Sequence, residues 1–197
     1  MNLKFTLAYD GSLFQGSQKQ PNGMTVEDKL LKAFKKINIE TNIVLSGRTD
    51  KEVHATGQVF NCVVPDFWQD FFKLKDILNK NLPSSIKILR IQKVKDDFHS
   101  RFHAKKRVYR YLITTKPTTP FNNKFITHIK NVDEELLQKA IKEFIGVYDF
   151  KYFHKTGSDK ELTKREVFNA EFYKYKDIYV FKFTAHSYLR SQIRLMV

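Results

Sequence analysis

The feature that most constrains the fold is the order in which strand-like and helix-like spacings of apolar residues follow one another along the first half of the chain. Four short segments show the two-residue alternation or β-rich composition of strands, whereas apolar residues in two others, such as Val26, Leu30 and Phe34, recur at helical spacing. Thr25 and Asp28 predict a capping box at the start of the first helix. The predicted strands are residues 3–9, 42–46, 58–64 and 86–94, and the predicted helices are residues 25–37 and 70–81. This β-α-β-β-α-β order is that of a split βαβ, or ferredoxin-like, unit.

The second half of the sequence begins to repeat this order. It predicts a strand at residues 106–115, a helix at 133–146, a hairpin turning at Lys176 and Asp177, and the first turns of a helix in 187–197. The pattern stops one strand short, so we expect the second half to be incomplete at its C-terminal end. The predicted domains are 1–103 and 104–197. Their class is α+β, with two βαββαβ-like halves joined into one mostly antiparallel sheet that has helices on one face.

The charge of the chain indicates what the other face of that sheet would bind. Across 197 residues, 35 Lys and Arg against 21 Asp and Glu leave a net charge of +14. This surplus favours a polyanionic partner, nucleic acid before a membrane surface, although a general bias toward Lys-rich surfaces would also produce it. We therefore expect an RNA-binding cleft on the sheet face that is free of helices.

Arginine is the rarer cation, with 8 residues among the 35, and its positions are uneven. Its planar fork binds carboxylate or phosphate through two hydrogen bonds, which a lysine cannot do. Six of the eight arginines lie in three short clusters: Arg48; then Arg101, Arg107 and Arg110; then Arg190 and Arg194. These clusters are candidate site segments, although a solvated basic face would explain the last pair equally well.

The first cluster lies in the stretch "SGRTDKEVHATGQVFN" between two predicted strands. We expect Gly47 and Gly57 to allow tight backbone geometry at its ends. Asp50 is the only carboxylate of "GRTD", and Arg48, two residues before it, favours the ionised form. An ionised carboxylate suits a nucleophile or a base. A loop ion pair or an Asx turn would explain the same residues without any catalytic role.

The second cluster interleaves cations with aromatic rings in "DDFHSRFHAKKRVYRYL". This composition is typical of phosphate contact combined with base stacking. Within the predicted strand, the two-residue period places Arg107, Tyr109 and Tyr111 on one face and Arg110 on the other. Tyr111 is more simply interpreted as a core residue.

Other kinds of site find little support in the sequence. His99 and His103 are four residues apart, but no cysteine or carboxylate cluster completes a metal site, so none is expected. Cys62 is the only cysteine, which excludes an internal disulfide and favours a reducing compartment. The N-terminal segment lacks the apolar core of a signal peptide, and no stretch approaches the length of a membrane span. We therefore expect a cytoplasmic protein without a membrane segment.

Three motifs, taken together, resemble the TruA-type tRNA pseudouridine synthases. "YDGSLFQGSQKQ" at residues 9–20 is similar to that family's start, Y-D-G-x-x-x-x-G-x-Q-x-Q. "GRTDKEVHATGQV" at 47–59 is similar to its signature G-R-T-D-x-G-V-H-A-x-G-Q-V. "DDFHSRFHAKKRVYRY" at 96–111 resembles its segment D-F-H-A-R-F-x-A-x-x-R-x-Y-x-Y. The resemblance runs along the whole chain in the same order.

The resemblance implies a function and a role for each matching residue. The catalytic residues would be Asp50 as the catalytic carboxylate, Arg48 of the signature, Tyr109 against the base, and Arg194 paired with Asp50. The implied reaction converts uridine to pseudouridine in tRNA, at positions 38 to 40 of the anticodon arm, by a homodimer without metal or cofactor. The remaining residues expected to bind the substrate, besides Arg48 and Tyr109, are His54, Gln58, Arg101, Arg107, Arg110 and Arg190.

Two residues depart from the family's pattern, and the sequence also suggests two alternative functions. Glu52 stands where the family usually has Gly, so we expect that turn to form without a residue free to adopt positive φ. Ser17 stands where Trp is common. A non-catalytic RNA-binding module would use the same basic, aromatic surface, but Asp50 would be dispensable in it. A nuclease is a weaker rival, because no carboxylate cluster suited to a metal is found in the sequence.

Overall fold

The computed structural model describes residues 1–21, 23–155 and 163–197, and its class is α+β as predicted. The chain divides into two compact units, Met1–Ala104 and Lys105–Val197. Strand pairing among the described residues forms two sheets, one of four strands and one of five. We predicted a single sheet, and that prediction is not confirmed. The spacing of side chains identifies a strand but does not specify which edges will pair.

The first unit follows the order β-α-β-β-α-β. Its elements are β1 (Asn2–Tyr9), α1 (Val26–Lys36), β2 (Val44–Leu45), β3 (Ala55–Val63), α2 (Phe71–Asn81) and β4 (Ile86–Lys93), with a short 3₁₀ helix at Gly11–Leu13. The sheet order is β2-β3-β1-β4, and all neighbouring strands are antiparallel. Thr25 and Asp28 form the predicted capping box, and Asp70 caps α2 by accepting from the Lys73 amide.

One face of this sheet carries both helices and the apolar core. Leu3, Phe5 and Leu7 of β1 are fully buried, and the Phe5 ring stacks on Phe60 at 4.5 Å. Each such side chain stabilises the fold by about 1.5–3 kcal/mol through its burial. The helices contribute Val26, Leu30 and Phe34 from α1 and Leu74 and Leu78 from α2 to the same core.

The other face of the sheet is polar along its middle. Lys4 pairs across the strands with Asn61 and Thr6 pairs with Arg90, so these side chains share the face opposite the core. Arg90 is exposed there. The two described helices of this unit, α1 and α2, pack on the core face, so neither covers this one.

The second unit has a five-stranded sheet in the order β6-β5-β9-β8-β7. Its elements are β5 (Arg107–Thr114), β6 (Thr127–His128), α3 (Glu134–Ala140), a 3₁₀ helix at Ile141–Phe144, β7 (Gly146–Asp149), β8 (Lys164–Tyr175), β9 (Ile178–Ala185) and α4 (Gln192–Met196). The predicted hairpin is formed by β8 and β9, and Lys176 turns it with φ +55°. β6 runs parallel to β5 and pairs with it only at Ile113 and Thr114.

Two predicted helices of this unit are shorter in the structure. The helix predicted at 133–146 ends at Ala140 and tightens into the 3₁₀ turn. Gly146, at φ +130°, then begins β7, a strand that the sequence pattern does not reveal. The C-terminal helix begins only at Gln192, because Ser191 has a left-handed backbone with φ +59°. No helix among the described residues is long and apolar enough to cross a membrane.

Candidate active site

The loop between β2 and β3 holds Arg48 and Asp50, and its first residues are braced by one side chain of β3. The Ser46 hydroxyl donates to Gln58 Oε1 at 2.8 Å, and Gln58 Nε2 donates to the Gly47 carbonyl at 2.8 Å. Both ends of the Gln58 amide are therefore used within the loop. Its predicted contact with substrate stays a prediction, whereas its bracing of the loop is observed.

The residue directly before Asp50 is held by the segment that follows β1. Ser17, which is fully buried, donates its amide to the Thr49 carbonyl at 3.1 Å and accepts from the Thr49 amide at its Oγ at 2.8 Å. The Tyr9 hydroxyl and the Thr49 hydroxyl lie 2.8 Å apart and share a hydrogen bond. Three hydrogen bonds thus fix Thr49, so the half-buried Asp50 starts from a rigid backbone.

Two glycines allow the segment that follows β1 to lie close to the Asp50 loop. A Cβ at Gly11 would lie 2.0 Å from the carbonyl oxygen of Val53, which no side chain tolerates. Gly16 has φ +109°, and a Cβ there would lie 2.9 Å from the Thr49 carbonyl oxygen. Gly57, by contrast, has open space around its Cβ position and no positive φ. The expectation that Gly57 serves tight geometry is therefore wrong, because it lies within the regular strand β3.

The end of the loop is tied to the same segment through His54. His54 Nδ1 accepts from the Gly11 amide at 2.9 Å and lies 3.1 Å from Asp10 Oδ1. Asp10 Oδ1 in turn accepts from the Ser12 amide and hydroxyl. His54 is therefore a brace of the loop, and its predicted substrate contact stays a prediction.

Glu52 makes the turn in a way that the sequence did not predict. Its backbone has φ +66°, the left-handed conformation usually reserved for Gly. Holding a residue other than Gly there costs about 1–2 kcal/mol. The turn therefore has the geometry that a glycine would supply, and Glu52 adopts it with strain.

In the second unit, Tyr109 is positioned by a residue that sequence reasoning missed. Its half-buried ring meets the Tyr188 ring edge-on, with centroids 5.1 Å apart. Burial, with a smaller contribution from Tyr109, raises the pKa of the Tyr188 phenol far above its ordinary value. Tyr188 therefore stays protonated and donates to the Arg107 carbonyl at 3.5 Å. An aromatic residue beside the third arginine cluster was the signal available in the sequence.

Arg110 does not share a face with Tyr109. Tyr109 pairs across β5 and β9 with Phe183, whereas Arg110 pairs with Lys182, whose Nζ forms an ion pair with Glu171. Pairs directly across a ladder share a face, so the predicted alternation along β5 is confirmed. The Arg107 guanidinium, on the Tyr109 face, donates to the His186 carbonyl.

The C-terminal arginines also separate. Arg194 lies exposed within α4, but Arg190 precedes the helix, and its carbonyl accepts from the Lys155 amide at 3.1 Å. The two arginines do not lie on one helix, because Ser191 between them is left-handed and α4 begins after it. The structure places Arg48, Asp50, His54, Gln58 and Arg101 in the first unit and Arg107, Tyr109, Arg110, Arg190 and Arg194 in the second.

Two further observations bear on the chemistry of the described residues. They include no group of three His, Cys, Asp or Glu side chains placed to hold a metal ion. Cys62 is buried, and burial raises the pKa of its thiol to about 12. The thiol therefore stays neutral at physiological pH and is a poor nucleophile.

Comparison with known proteins is consistent with these features. The family model described as tRNA pseudouridine synthase matches residues 6–103 and 140–197. The chain is 39% identical to a tRNA pseudouridine synthase A of Wolinella succinogenes over 97% of this chain and 76% of that protein. It is 38% identical to the proteins of the same name from Campylobacter jejuni (strain RM1221) and Helicobacter pylori, covering 100% and 98% of this chain and 82% and 81% of theirs.

Both the family match and the relatives extend over most of the chain, and they include the braced loop around Asp50. The chain therefore belongs to the tRNA pseudouridine synthase family, and it is an enzyme of the isomerase class.

Proposed function

We propose that this protein converts uridine to pseudouridine in the anticodon arm of tRNA, at positions 38 to 40, with Asp50 as the nucleophile. The observation that carries the proposal is the loop around Asp50, which Ser17 and Gln58 brace from two sides. A carboxylate on such a support holds its position relative to a bound nucleotide, and positioning is a large part of catalysis. Tyr109, fixed by Tyr188, supplies the aromatic surface that a flipped base requires.

The reaction asks for one nucleophile and no redox partner. The bond between C1′ and N1 of uridine breaks, the uracil turns, and a bond between C1′ and C5 forms. C5 then loses its proton and N1 gains one, so that the product is an isomer of the substrate. The carboxylate of Asp50 adds either to C1′ of the sugar or to C6 of the base and is released at the end. Both routes use the same residue, and no metal or cofactor is required in either.

The other predicted residues have supporting roles in this proposal. Arg48, exposed on the loop, would bind a phosphate and hold the target nucleotide out of the stack. Arg194 would pair with Asp50 and keep it ionised, as its match to the family's C-terminal arginine implies. The remaining basic residues, Arg101, Arg107, Arg110 and Arg190, would contact tRNA phosphates. We further propose that the enzyme acts as a homodimer in the cytoplasm.

Replacing Asp50 by Asn tests the proposal. Release of tritium from tRNA labelled at uridine C5 should fall by several orders of magnitude, while tRNA affinity should change little. Asp76→Asn, an exposed Asp of α2, is the matched control and should retain activity. Tritium release by Asp50→Asn at the rate of the unchanged protein would contradict the assignment. Unchanged pseudouridine in the anticodon arm of cells lacking the protein would favour the RNA-binding module.

A further inference from the structure

The turn at residues 99–103 presents an exposed aromatic ring beside an imidazole and a guanidinium. The Phe102 side chain is 70% exposed. The His99 ring stacks on it with centroids 4.2 Å apart, and the Arg101 guanidinium lies 5.9 Å from its centroid. The Phe102 amide donates to His99 Nδ1 at 3.3 Å, which fixes the imidazole behind the ring. We call His99, Arg101 and Phe102 the platform.

A buried hydrogen-bond network attaches this turn to the sheet. Asn2 Nδ2 donates to the carbonyls of Lys95 at 3.1 Å and Phe98 at 2.9 Å, and Asn61 Nδ2 donates to Asn2 Oδ1 at 3.1 Å. The Ser100 amide donates to Asn61 Oδ1 at 2.9 Å. Asn2, Asn61 and Ser100 are 4%, 7% and 2% exposed.

Ser100 also joins the turn to the strand that leads to Asp50. Its hydroxyl donates to the Val44 carbonyl of β2. Buried amides and hydroxyls with satisfied partners define one backbone position, because breaking any of these bonds leaves a polar group buried without a partner. The platform is therefore formed before any ligand arrives.

The network places the platform on the helix-free face of the first sheet. Asn61 pairs across β1 and β3 with Lys4, which lies on the face opposite the core. Along β3, six residues separate Asn61 from Ala55, where the Asp50 loop joins the strand. Six residue steps along a strand span about 20 Å, so the network meets β3 about that far from the point where the Asp50 loop joins the strand.

An open groove beside the platform is lined by two lysines and two rings. Lys93 and Lys95 line it together with Phe98 and His103, and Asp97 is the one acidic residue among its lining residues. The Phe98 and His103 rings are 5.7 Å apart. Cations alternating with rings suit a nucleic-acid strand better than an apolar protein surface, and the net charge of +14 agrees with this.

We propose that the platform stacks an unpaired tRNA base several nucleotides from the target uridine, with Arg101 binding a neighbouring phosphate. This inference rests on the proposed function in that it takes tRNA as the substrate. Phe102 gives the base an aromatic surface backed by His99. Such stacking is tolerant of base identity, so the platform adds affinity and register rather than selecting a sequence.

The test measures the affinity of the full chain for an unmodified tRNA transcript, in an Asp50→Asn background that prevents turnover. Phe102→Ala should weaken binding about tenfold, and Phe102→Trp should stay within twofold of the parent. The loss should be the same at every salt concentration, because no ion pair is removed. Arg101→Ala should instead flatten the slope of log affinity against log salt concentration by about one.

Phe72→Ala is the matched control. Phe72 is 77% exposed in the same unit, and Lys75 Nζ lies 5.3 Å from the centroid of its ring. Like Phe102, it is therefore an exposed ring with a cation beside it. Its affinity should equal that of the parent. Binding by Phe102→Ala within twofold of the parent, or an equal loss in Phe72→Ala, would overturn the inference. An unchanged chain that binds tRNA but forms no pseudouridine would overturn the proposed function alone.

Discussion

At the scale of single residues, the candidate site depends on a serine that is fully buried. Ser17 holds both backbone groups of Thr49, and Thr49 directly precedes Asp50. The family often has Trp at this position, which cannot accept an amide proton through its side chain. The loop of this chain is therefore held by a hydrogen bond that a Trp could not make.

Ser17→Ala should lower kcat by roughly tenfold to a hundredfold while KM stays within twofold. Removing Oγ leaves the Thr49 amide without its acceptor, which costs about 1–3 kcal/mol of stability and lets Asp50 shift. Steady-state pseudouridine formation and urea unfolding measure the two effects. Ser84→Ala, at an exposed position, serves as control. A loss of stability with kcat unchanged would show that Ser17 supports the fold and not the position of Asp50.

The sequence predicted Asp50 and Arg48 because a local motif carries them, but it did not reveal their supports. The role of Ser17, the strain at Glu52 and the contact of Tyr188 with Tyr109 depend on backbone conformation and on partners distant in sequence. Glu52 is the clearest case. The missing glycine was visible in the sequence, but whether Glu would adopt the left-handed conformation was not.

At the scale of elements, the 3₁₀ helix Gly11–Leu13 packs against the Asp50 loop so closely that no methyl group fits between them at Gly11. Gly11→Ala should displace the loop and lower kcat by at least tenfold, because its Cβ would lie 2.0 Å from the Val53 carbonyl oxygen. Gly57→Ala, which adds the same methyl group in open space on β3, should retain activity. The assay is steady-state pseudouridine formation at saturating tRNA. Equal activity of the two variants would mean that displacing the loop does not affect pseudouridine formation.

Elements were predicted well where one period dominates, as in α1, α2 and the β8–β9 hairpin. They were predicted less well where a single residue ends them. Gly146 at φ +130° converts the end of an apolar helical pattern into the start of β7. Ser191, an ordinary residue in left-handed conformation, delays α4 and separates Arg190 from Arg194.

At the scale of the whole molecule, four carboxylates make stability depend on pH. Hydrogen bonds from the N-terminal ammonium to Asp66, from Tyr179 and Lys174 to Glu134, from Thr163 to Asp149 and from Lys182 to Glu171 hold the pKa of each below its ordinary value. A carboxyl group with a lowered folded-state pKa stabilises the fold above its ordinary pKa. That contribution is lost as pH falls through the folded-state pKa.

These groups should therefore leave the free energy of unfolding unchanged between about pH 7 and pH 6. The free energy of unfolding should decrease once the pH falls below the ordinary pKa values of 4.5 for Glu and 3.8 for Asp. Urea unfolding at a series of pH values measures it. Glu134→Gln removes one of the four groups and should make the acid-side decline shallower. A decline equally steep in this variant would mean that Glu134 contributes nothing to it.

The α+β class followed from the sequence, but the way the strands assemble did not. The sequence pattern predicted β1 to β5, β8 and β9 but neither β6 nor β7, and it did not indicate that the strands would pair into two sheets. Residues 96–112 carried the basic and aromatic signal, yet nothing local indicated that Asn2 and Asn61, distant in sequence, would hold the start of that segment at the Phe98 carbonyl.

That network changes how the turn at residues 99–103 should be regarded during local unfolding. A loop ordinarily opens many times for each opening of the sheet beneath it. Here the Ser100 amide and the carbonyls of residues 95 and 98 are bonded to buried side chains of β1 and β3, so opening the turn must break these bonds. We therefore expect the turn to open together with the central strands. Its exposed surface is therefore retained for as long as the first unit stays folded.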